Sequence, residues 1–313
     1  MNNIIETRDL VKRYGEAQVV DGLSFSVQPG EIFGFLGPNG AGKTTTISML
    51  STLLRPTSGT ASVAGFDVVE QTLQVKKQIG LVPQDLALYS TLSGRDNLRY
   101  FGCIYGMRGK VLEERVAEVL EMVALTRYAD AAVKTYSGGM QRRLNIAAGL
   151  LHHPALLFLD EPTVGVDPQS RNAIFENVRA LRDQGMTVLY TTHYMEEAQQ
   201  LCDRVAIIDE GRIIALGTPA ELIADLGGGV IHLGVSGGSL NGRLLDELQA
   251  LPAVKSAARL DGQLRVEAHQ TQPALTQMLD LFTRTQAQVT ALQVLEPNLE
   301  TVFLQLTGKK LRE

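Results

Sequence analysis

Short aliphatic runs alternate with helical patterns over roughly the first two thirds of the chain. The strand-like runs are EIFGFLG, IGLVPQ, ALLFLDEP and TVLYTTH, at residues 31–37, 79–84, 155–162 and 187–193. Each continues into a loop or a helical pattern, and continuous apolar runs are typical of strands that are buried on both faces. The alternation therefore predicts an α/β fold in which helices wrap a mostly parallel sheet.

Residues 110–125 carry a clear helical pattern, with charges opposite an apolar stripe. The stripe consists of Leu112, Val116, Val119, Leu120 and Val123. Such a stripe predicts packing against a core, not a cofactor site. Farther along, RVAIIDEGRIIALG at residues 204–217 predicts two strands around a tight turn.

A glycine run at residues 227–229 follows the capped helix pattern TPAELIADLG and predicts a domain boundary, with one domain over 1–226 and another over 227–313. Beyond the run, the pattern predicts strand, helix, hairpin on an Asp-Gly turn, helix, strand and a final helix. This order suggests a small α+β domain of ferredoxin-like type. His232 and His269 stand alone there, without a second ligand or acid, so we expect no catalytic site in this domain.

Composition narrows the function classes. With 313 residues, 44% of them apolar, the chain is long enough for two domains with proper cores, and a formal net charge of −5 disfavours nucleic acid as a partner. Cys103 and Cys202 lack CxxC spacing, so we expect buried thiols in a reducing compartment, not a disulfide. No apolar run approaches the ~18 to 20 residues of a membrane span and no signal peptide is recognisable, so any membrane span would belong to another chain.

The stretch GPNGAGKT at residues 37–44 matches the phosphate-binding loop GxxxxGK[ST] in its expected context between a strand and a helix. Its glycines allow a tight turn that points backbone amides at phosphate oxygens, where the helix dipole also favours an anion. Lys43 would reach the β and γ phosphates, and Thr44 would hold Mg²⁺. The predicted nucleotide-binding residues of this segment are Gly37, Pro38, Asn39, Gly40, Ala41, Gly42, Lys43, Thr44 and Thr45.

Two adjacent acids end the strand-like run ALLFLDE. Asp160 at the carboxyl end of a buried strand would lie beside the phosphate-binding loop and hold Mg²⁺. Glu161 next to it is placed to polarise an attacking water, which predicts ATP hydrolysis with Glu161 as the catalytic base. Without the upstream loop, such a pair would as often be a solvated turn.

These motifs, with others in the same order, make the chain resemble the ATP-binding subunit of an ABC transporter across its whole first region. The further matches are Tyr14, Gln84 in LVPQD, SGGMQ at 137–141, VGVD at 164–167 and His193 after TVLYTT. The resemblance implies an ABC cassette with N-terminal antiparallel strands and a helical subdomain at about 86–150.

The resemblance also implies roles for single residues. Tyr14 would stack on adenine, although it could equally be a core aromatic. Gln84 would contact the metal or the attacking water, and His193 would bind the γ phosphate and orient Glu161. Ser137 would cap a helix so that the amides of Gly138 and Gly139 face the γ phosphate bound on a partner subunit, and Asp167 is placed among the nucleotide-binding residues.

The tail NLETVFLQLTG resembles that of ATPases from export systems for drugs, antibiotics, lipids or polysaccharides, which work beside a separate permease. This implies a homodimer that sandwiches two ATP, docked on permease subunits at the cytoplasmic face of the cell membrane as a peripheral protein. An ABC protein of DNA repair or translation is the alternative, but the chain shows one cassette, no sustained heptads and an acidic balance. A P-loop kinase would leave SGGMQ unexplained.

Some positions depart from the commonest family pattern. Tyr136 stands where leucine is usual before the Ser-Gly-Gly corner, and the segment at 164–167 reads Val-Gly-Val-Asp where Ser-Gly-Leu-Asp is commoner. We expect these substituted side chains to pack, so that activity is tuned and not lost. His152 and His153, just before Pro154, are predicted to be helix-end charges or exposed residues.

Overall fold

The computed structural model describes residues 3–225, 228–235, 242–260, 263–285, 287–295 and 297–308. Among them the strands are, in chain order, β1 (Ile5–Tyr14), β2 (Ala17–Val27), β3 (Ile32–Leu36), β4 (Ser58–Val63), β5 (Phe66–Asp67), β6 (Ile79–Val82), β7 (Leu156–Asp160), β8 (Thr187–Thr192), β9 (Arg204–Asp209), β10 (Arg212–Gly217), β11 (Val230–Val235), β12 (Val254–Leu260), β13 (Gln263–Ala268) and β14 (Val289–Leu295). The α-helices are α1 (Lys43–Leu50), α2 (Thr72–Gln78), α3 (Gly94–Ile104), α4 (Gly109–Met122), α5 (Gly138–Leu150), α6 (Pro168–Asp183), α7 (Met195–Leu201), α8 (Pro219–Ala224), α9 (Gly242–Gln249), α10 (Thr271–Thr285) and α11 (Leu299–Thr307).

The predicted parallel sheet is confirmed, with strand order β10-β9-β3-β8-β7-β6. All neighbours in it are parallel except β10, which forms an antiparallel hairpin with β9 as the pattern predicts. Strands β3, β7 and β8 are buried along their full length, because both faces of the sheet are covered. Their carboxyl ends meet at one edge, and the loops that follow them carry the phosphate-binding loop, the two acids and His193.

A second, antiparallel sheet ordered β2-β1-β4-β5 packs on the first. One apolar core joins it to α1 and the parallel sheet, and Phe25 stacks on Phe33 within this core at a centroid distance of 5.6 Å. The antiparallel strands near the N-terminus that the family resemblance implies are therefore present. The two sheets and their shared core fix the start of α1, where the phosphate-binding loop ends.

Helices α3, α4 and α5 form the predicted helical segment, and its first helix is capped by Ser93. The apolar stripe of α4 is buried, as predicted. Tyr136 is buried too, and its hydroxyl donates to the Tyr128 carbonyl oxygen at 2.6 Å, so the expectation that this side chain packs is confirmed. Val166 is buried and Val164 half-buried.

His152 does not fit its sequence prediction. Its ring is half-buried, stacks on Tyr105 at a centroid distance of 3.9 Å, and places Nε2 2.8 Å from the Ile79 carbonyl oxygen. Burial lowers the pKa of His152, so a helix-end charge is the wrong interpretation. His153 is exposed, as one of the predicted alternatives requires.

The chain divides into two compact units, the first ending at Thr218 and the second beginning at Pro219. Helix α8 thus belongs to the second unit, and the predicted boundary between 226 and 227 lies outside the described residues. The second unit has an antiparallel sheet ordered β12-β13-β11-β14. After α8, its element order is βαββαβ followed by α11, which agrees with the order predicted beyond the glycine run. The Asp-Gly turn of the predicted hairpin is outside the described residues.

Two remaining sequence expectations concern thiols and membrane spans. Cys103 and Cys202 are both free, and Cys202 is buried, where burial raises the pKa of its thiol. Within the described parts of the chain, no helix is both long and apolar enough to cross a membrane.

Candidate active site

The phosphate-binding loop connects β3 to α1, and its glycines are required by the backbone and by close neighbours. Gly40 and Gly42 have φ angles of 84° and 102°, in the region where other residues are strained. A Cβ on Gly42 would lie 2.7 Å from the Val19 carbonyl oxygen, and one on Gly37 would collide with the Ile208 carbonyl oxygen. The loop can therefore approach an anion with bare backbone, which is the fit that a bound phosphate needs.

Lys43, the first residue of α1, is only 5% exposed. Its Nζ donates to the carbonyl oxygens of Gly37 at 2.7 Å and Pro38 at 3.2 Å, and forms an ion pair with Glu161 Oε1 at 3.0 Å. The ammonium group is thus held at the mouth of the loop by two carbonyl groups of the loop itself and by Glu161. A buried cation in this place can bind phosphate oxygens strongly, because water screens it little.

Glu161 follows β7 and is also 5% exposed. Its Oε2 lies 2.9 Å from His193 Nδ1, so Lys43, Glu161 and His193 form one cluster. The backbone φ of Glu161 is 47°, a strained value for a residue with a side chain. The Glu161 amide donates to Thr191 at its carbonyl oxygen, at 3.2 Å, and at its hydroxyl, at 3.0 Å, which holds the backbone in this conformation.

Asp160 ends β7, and its carboxylate is buried. Its Oδ1 accepts a hydrogen bond from Thr191 Oγ1 at 2.6 Å. Thr44 is exposed one residue after Lys43. In the described part of the chain, no group of three His, Cys, Asp or Glu lies together as a metal cage. A carboxylate and a hydroxyl nevertheless fit Mg²⁺, which is usually held at nucleotide sites by one or two protein oxygens together with phosphates.

The structure does not bring every predicted residue into the Lys43–Glu161–His193 cluster. Tyr14 is 49% exposed at the end of β1, so the alternative of a core aromatic is wrong, and Lys12 Nζ lies 5.3 Å from its ring centroid. Gln84 is exposed after β6, and its carbonyl oxygen accepts a hydrogen bond from Arg142 Nη1. Asp167 caps α6, because its Oδ1 accepts from the Ser170 amide at 2.9 Å, and hydrogen bonds from the Ser170 side chain and amide lower its pKa.

The Ser-Gly-Gly corner begins α5, and its residues play different parts. Ser137 is the N-cap, as predicted, and its hydroxyl accepts from the Met140 amide at 3.3 Å. Gly138 is exposed, and a Cβ there would lie 3.9 Å from its nearest neighbour, the Gly165 carbonyl oxygen. Gly139 is buried, and a Cβ there would collide with Ser170 of α6. Gly139 is thus required for packing, whereas Gly138 leaves its amide open at the surface.

Sequence reasoning missed Thr191, which contacts both acids, and Arg142, whose guanidinium reaches the carbonyl oxygens of Gln84 and, at 3.3 Å, of Val164. It also missed Glu197, a buried acid on α7. Thr191 could have been found from its place beside His193 in TVLYTTH. Arg142 carries no such signal, because the carbonyl groups it binds are distant in sequence. Glu197 lies within seven residues of Tyr190 and Thr192, but its other partners, Thr163 and Arg171, are distant.

Comparison with known proteins gives a family match at residues 20–164 to the ABC transporter family. The chain is 46% identical to the linearmycin resistance ATP-binding protein of Bacillus subtilis, over 99% of this chain and 100% of that protein. It is 43% identical to the daunorubicin/doxorubicin resistance ATP-binding protein of Streptomyces peucetius, over 97% and 92%. It is 42% identical to the Nod factor export ATP-binding protein I of Ralstonia nicotianae, over 99% and 95%.

Solved structures also resemble this chain. The cbiO1 protein of Clostridium perfringens, part of an ABC transporter complex, matches with a TM-score of 0.67 and 27% identity, over 72% of this chain and 92% of that chain. The ADP conformation of an ATP-binding cassette of an ABC transporter matches with a TM-score of 0.66 and 26% identity, over 72% and 95%.

Proposed function

The chain belongs to the family of ABC transporter ATP-binding proteins, and on this premise we propose that it hydrolyses ATP to drive export through a separate membrane permease. The observation that carries the proposal is the cluster of Lys43, Glu161 and His193, with contacts of 3.0 and 2.9 Å, at the mouth of the phosphate-binding loop. Such a cluster combines phosphate binding with a base for water.

In the proposed reaction, Glu161 accepts a proton from the water that attacks the γ phosphate, the bond between the γ phosphorus and the β–γ bridging oxygen breaks, and ADP leaves. His193 holds the Glu161 carboxylate and donates to phosphate oxygen, while Lys43 neutralises phosphate charge. Gln84 contacts the water or the metal from its loop. Mg²⁺, held by Thr44 and Asp160 with Gln84, would supply further neutralisation of the phosphate oxygens. Of the groups that hold Glu161, Lys43 and Thr191 are buried, which favours a fixed geometry.

The nucleotide itself would be bound by further residues. Tyr14 offers an exposed ring for adenine, and the loop amides receive the phosphates. We propose that two copies of this chain bind two ATP between them, with the open amide of Gly138 and the hydroxyl of Ser137 facing the partner's γ phosphate. Asp167, exposed at the start of α6, would contribute at the same surface. The residues that we propose to bind nucleotide are those predicted from the sequence: Tyr14, Gly37, Pro38, Asn39, Gly40, Ala41, Gly42, Lys43, Thr44, Thr45, Ser137, Gly138, Gly139 and Asp167.

The transported substrate is proposed from the relatives. Two of them are named for resistance to linearmycin and to daunorubicin and doxorubicin, and one for Nod factor export. We propose a drug-like, antibiotic, lipid or polysaccharide substrate, moved by permease subunits that bind this chain at the cytoplasmic face of the cell membrane. In this proposal, the residues of this chain bind and hydrolyse the ATP that drives transport.

The test is Glu161→Gln, which keeps the size of the side chain and removes the base. ATP turnover by the purified protein should fall about 100-fold or more, since a positioned base contributes about 10²–10⁴-fold. ATP should remain bound and the dimer should accumulate, as measured by light scattering after gel filtration. Glu31→Gln is the matched control, because Glu31 is a buried acid at the opposite end of β3, paired with Arg204 at 3.1 Å. Normal turnover by Glu161→Gln would refute the assignment of Glu161 as the base.

A further inference from the structure

Glu197 is a buried carboxylate that the proposed reaction does not use. It lies on α7 and is only 2% exposed. Its oxygens accept hydrogen bonds from the Thr163 hydroxyl at 2.8 Å, the Tyr190 hydroxyl at 2.9 Å and the Thr192 hydroxyl at 3.0 Å. Three O–H donors therefore converge on one carboxylate, in a part of the molecule that water does not reach.

These donors connect the segments that carry the two catalytic groups. Thr163 lies two residues after Glu161, and Thr192 lies immediately before His193. The Thr192 hydroxyl also accepts from the Tyr194 amide at 2.9 Å, so its hydrogen bonds fix the backbone on both sides of His193. Glu197 thus ties the segment that follows β7, just after Glu161, to the end of β8, just before His193.

A cation completes the network from a third segment. Arg171 Nε of α6 lies 3.3 Å from Glu197 Oε1, an ion pair without hydrogen-bond geometry. The same guanidinium lies over the ring of Tyr194, 5.4 Å from its centroid, and the rings of Tyr194 and His193 are 4.0 Å apart. Arg171 therefore touches both the buried acid and the neighbour of the catalytic histidine.

The hydrogen bonds of this network fix the positions of its side chains more than they stabilise the fold. Burial of a carboxylate is costly, and its partners at best offset that cost, whereas an apolar side chain could fill the same space. Hydrogen bonds to a charged acceptor are short and directional, so they fix the positions of their donors. Burial and the nearby Glu197 charge raise the pKa of Tyr190, so this hydroxyl keeps its proton and remains a donor.

We propose that Glu197 is a positioning residue, which holds Glu161 and His193 in register through Thr163, Thr192 and Arg171. The inference rests on the proposed hydrolysis of ATP, since that reaction requires the two groups to meet. Glu197 itself touches neither nucleotide nor water in this assignment.

The first test compares Glu197→Gln with Glu31→Gln, since both replace a buried, arginine-paired acid with an amide of the same size. We expect kcat of Glu197→Gln to fall about tenfold with KM for ATP within about twofold, because the loss is in orientation and not in binding. Glu31→Gln should keep the wild-type kcat. Thermal unfolding of both variants shows whether each is folded at the assay temperature.

A second pair of variants changes Thr192 and leaves Glu197 in place. Thr192→Val removes the hydroxyl at nearly constant shape, and Thr192→Ser keeps it. Thr192→Val should reproduce the fall in kcat, and Thr192→Ser should recover most of it. If Thr192→Ser is as impaired as Thr192→Val, the hydroxyl is not the link and the proposal is wrong.

Nuclear magnetic resonance of the histidine rings supplies a readout that does not depend on turnover. In Glu197→Gln without nucleotide, the ring signals of His193 should shift, while those of His232 and His269 in the second unit should not. Unchanged His193 signals, or a wild-type kcat, would overturn the role of Glu197. A wild-type protein without ATPase activity would instead refute the proposed function, and the ring signals would still decide whether Glu197 positions His193.

Discussion

The two units of the chain differ in what their interiors contain. The buried polar and charged residues among those described all lie in the first unit, and several of them surround the phosphate-binding loop: Lys43, Asp160, Glu161, Thr163, Thr191, Thr192 and Glu197. The described core of the second unit is apolar, with side chains such as Leu233, Val266 and Phe282 between its sheet and its helices. The first interior holds charged side chains in defined places. None of the buried charged side chains among the described residues lies in the second unit.

The two cores therefore serve different purposes: one positions charged groups, and the other stabilises the fold. Charges are costly to bury, so they persist where partners are closely arranged around them and where their positions serve a reaction. The first unit also holds Glu161 at a positive φ, a strained backbone that the surrounding hydrogen bonds maintain. The antiparallel sheet of the second unit buries an apolar face and needs no hydrogen bonds to buried charges. Its described core stabilises the fold and carries no reactive groups. Changes in the two interiors should therefore have different consequences.

The largest expected effect comes from removing one aromatic side chain in each core. Phe282→Ala should lower the free energy of unfolding of the second unit by about 3–5 kcal/mol, because it leaves a cavity. ATP turnover should remain within about twofold of wild type at a temperature where the variant is folded. Calorimetry and ATPase assays measure both quantities.

Phe158→Ala is the matched variant in the first unit, since Phe158 is fully buried on β7, two residues before Asp160. It should lose a similar free energy of unfolding, and turnover as well, because β7 carries both acids. Equal losses of turnover in Phe158→Ala and Phe282→Ala would show that the two interiors are not functionally distinct.

Adjacent glycines offer a finer test within the first unit. Gly139→Ala should cost about 1–3 kcal/mol of stability, because its Cβ would collide with Ser170. Gly138→Ala has open space within the chain and should leave thermal stability nearly unchanged. The variant keeps its backbone N–H, but its added Cβ would crowd a phosphate on the partner, so ATP turnover should fall about tenfold. A stable and fully active Gly138→Ala would show that no phosphate approaches the Gly138 backbone closely.

The smallest effect is a pH dependence at His152. Burial lowers the pKa of this ring below its value in the unfolded chain, so in acid the unfolded chain binds a proton that the folded chain does not. Stability should therefore fall as the pH decreases through about 6.5, the ordinary value for histidine. Chemical denaturation at pH 7.5 and 5.5 should show a smaller difference in His152→Asn than in wild type. His232→Asn in the second unit is the control, and an equal reduction there would contradict the assignment to His152.

Local patterns were sufficient for most elements and for part of the site. The runs at β3, β7 and β8 were predicted as buried strands, and the glycine spacing identified the phosphate-binding loop, because these signals lie within a few consecutive residues. The environment of His152 was predicted wrongly, because Tyr105, the residue after α3, stacks on it. Arg142 was missed because the carbonyl groups it binds are distant in sequence. Glu197 was missed because its partners Thr163 and Arg171 come from other segments of the chain.

The sequence alone determined the order of the elements, the family resemblance and the identity of the groups that can bind phosphate, metal and water. Periodicity and motif spacing are properties of neighbouring residues in the sequence, and they do not depend on how the chain folds. Only the tertiary structure decided that Lys43, Glu161 and His193 touch, that Gly139 is buried against Ser170 while Gly138 is exposed, and that Glu197 accepts hydrogen bonds from Thr163 and Thr192. These facts depend on contacts between segments far apart in the chain, which burial of the shared core brings together.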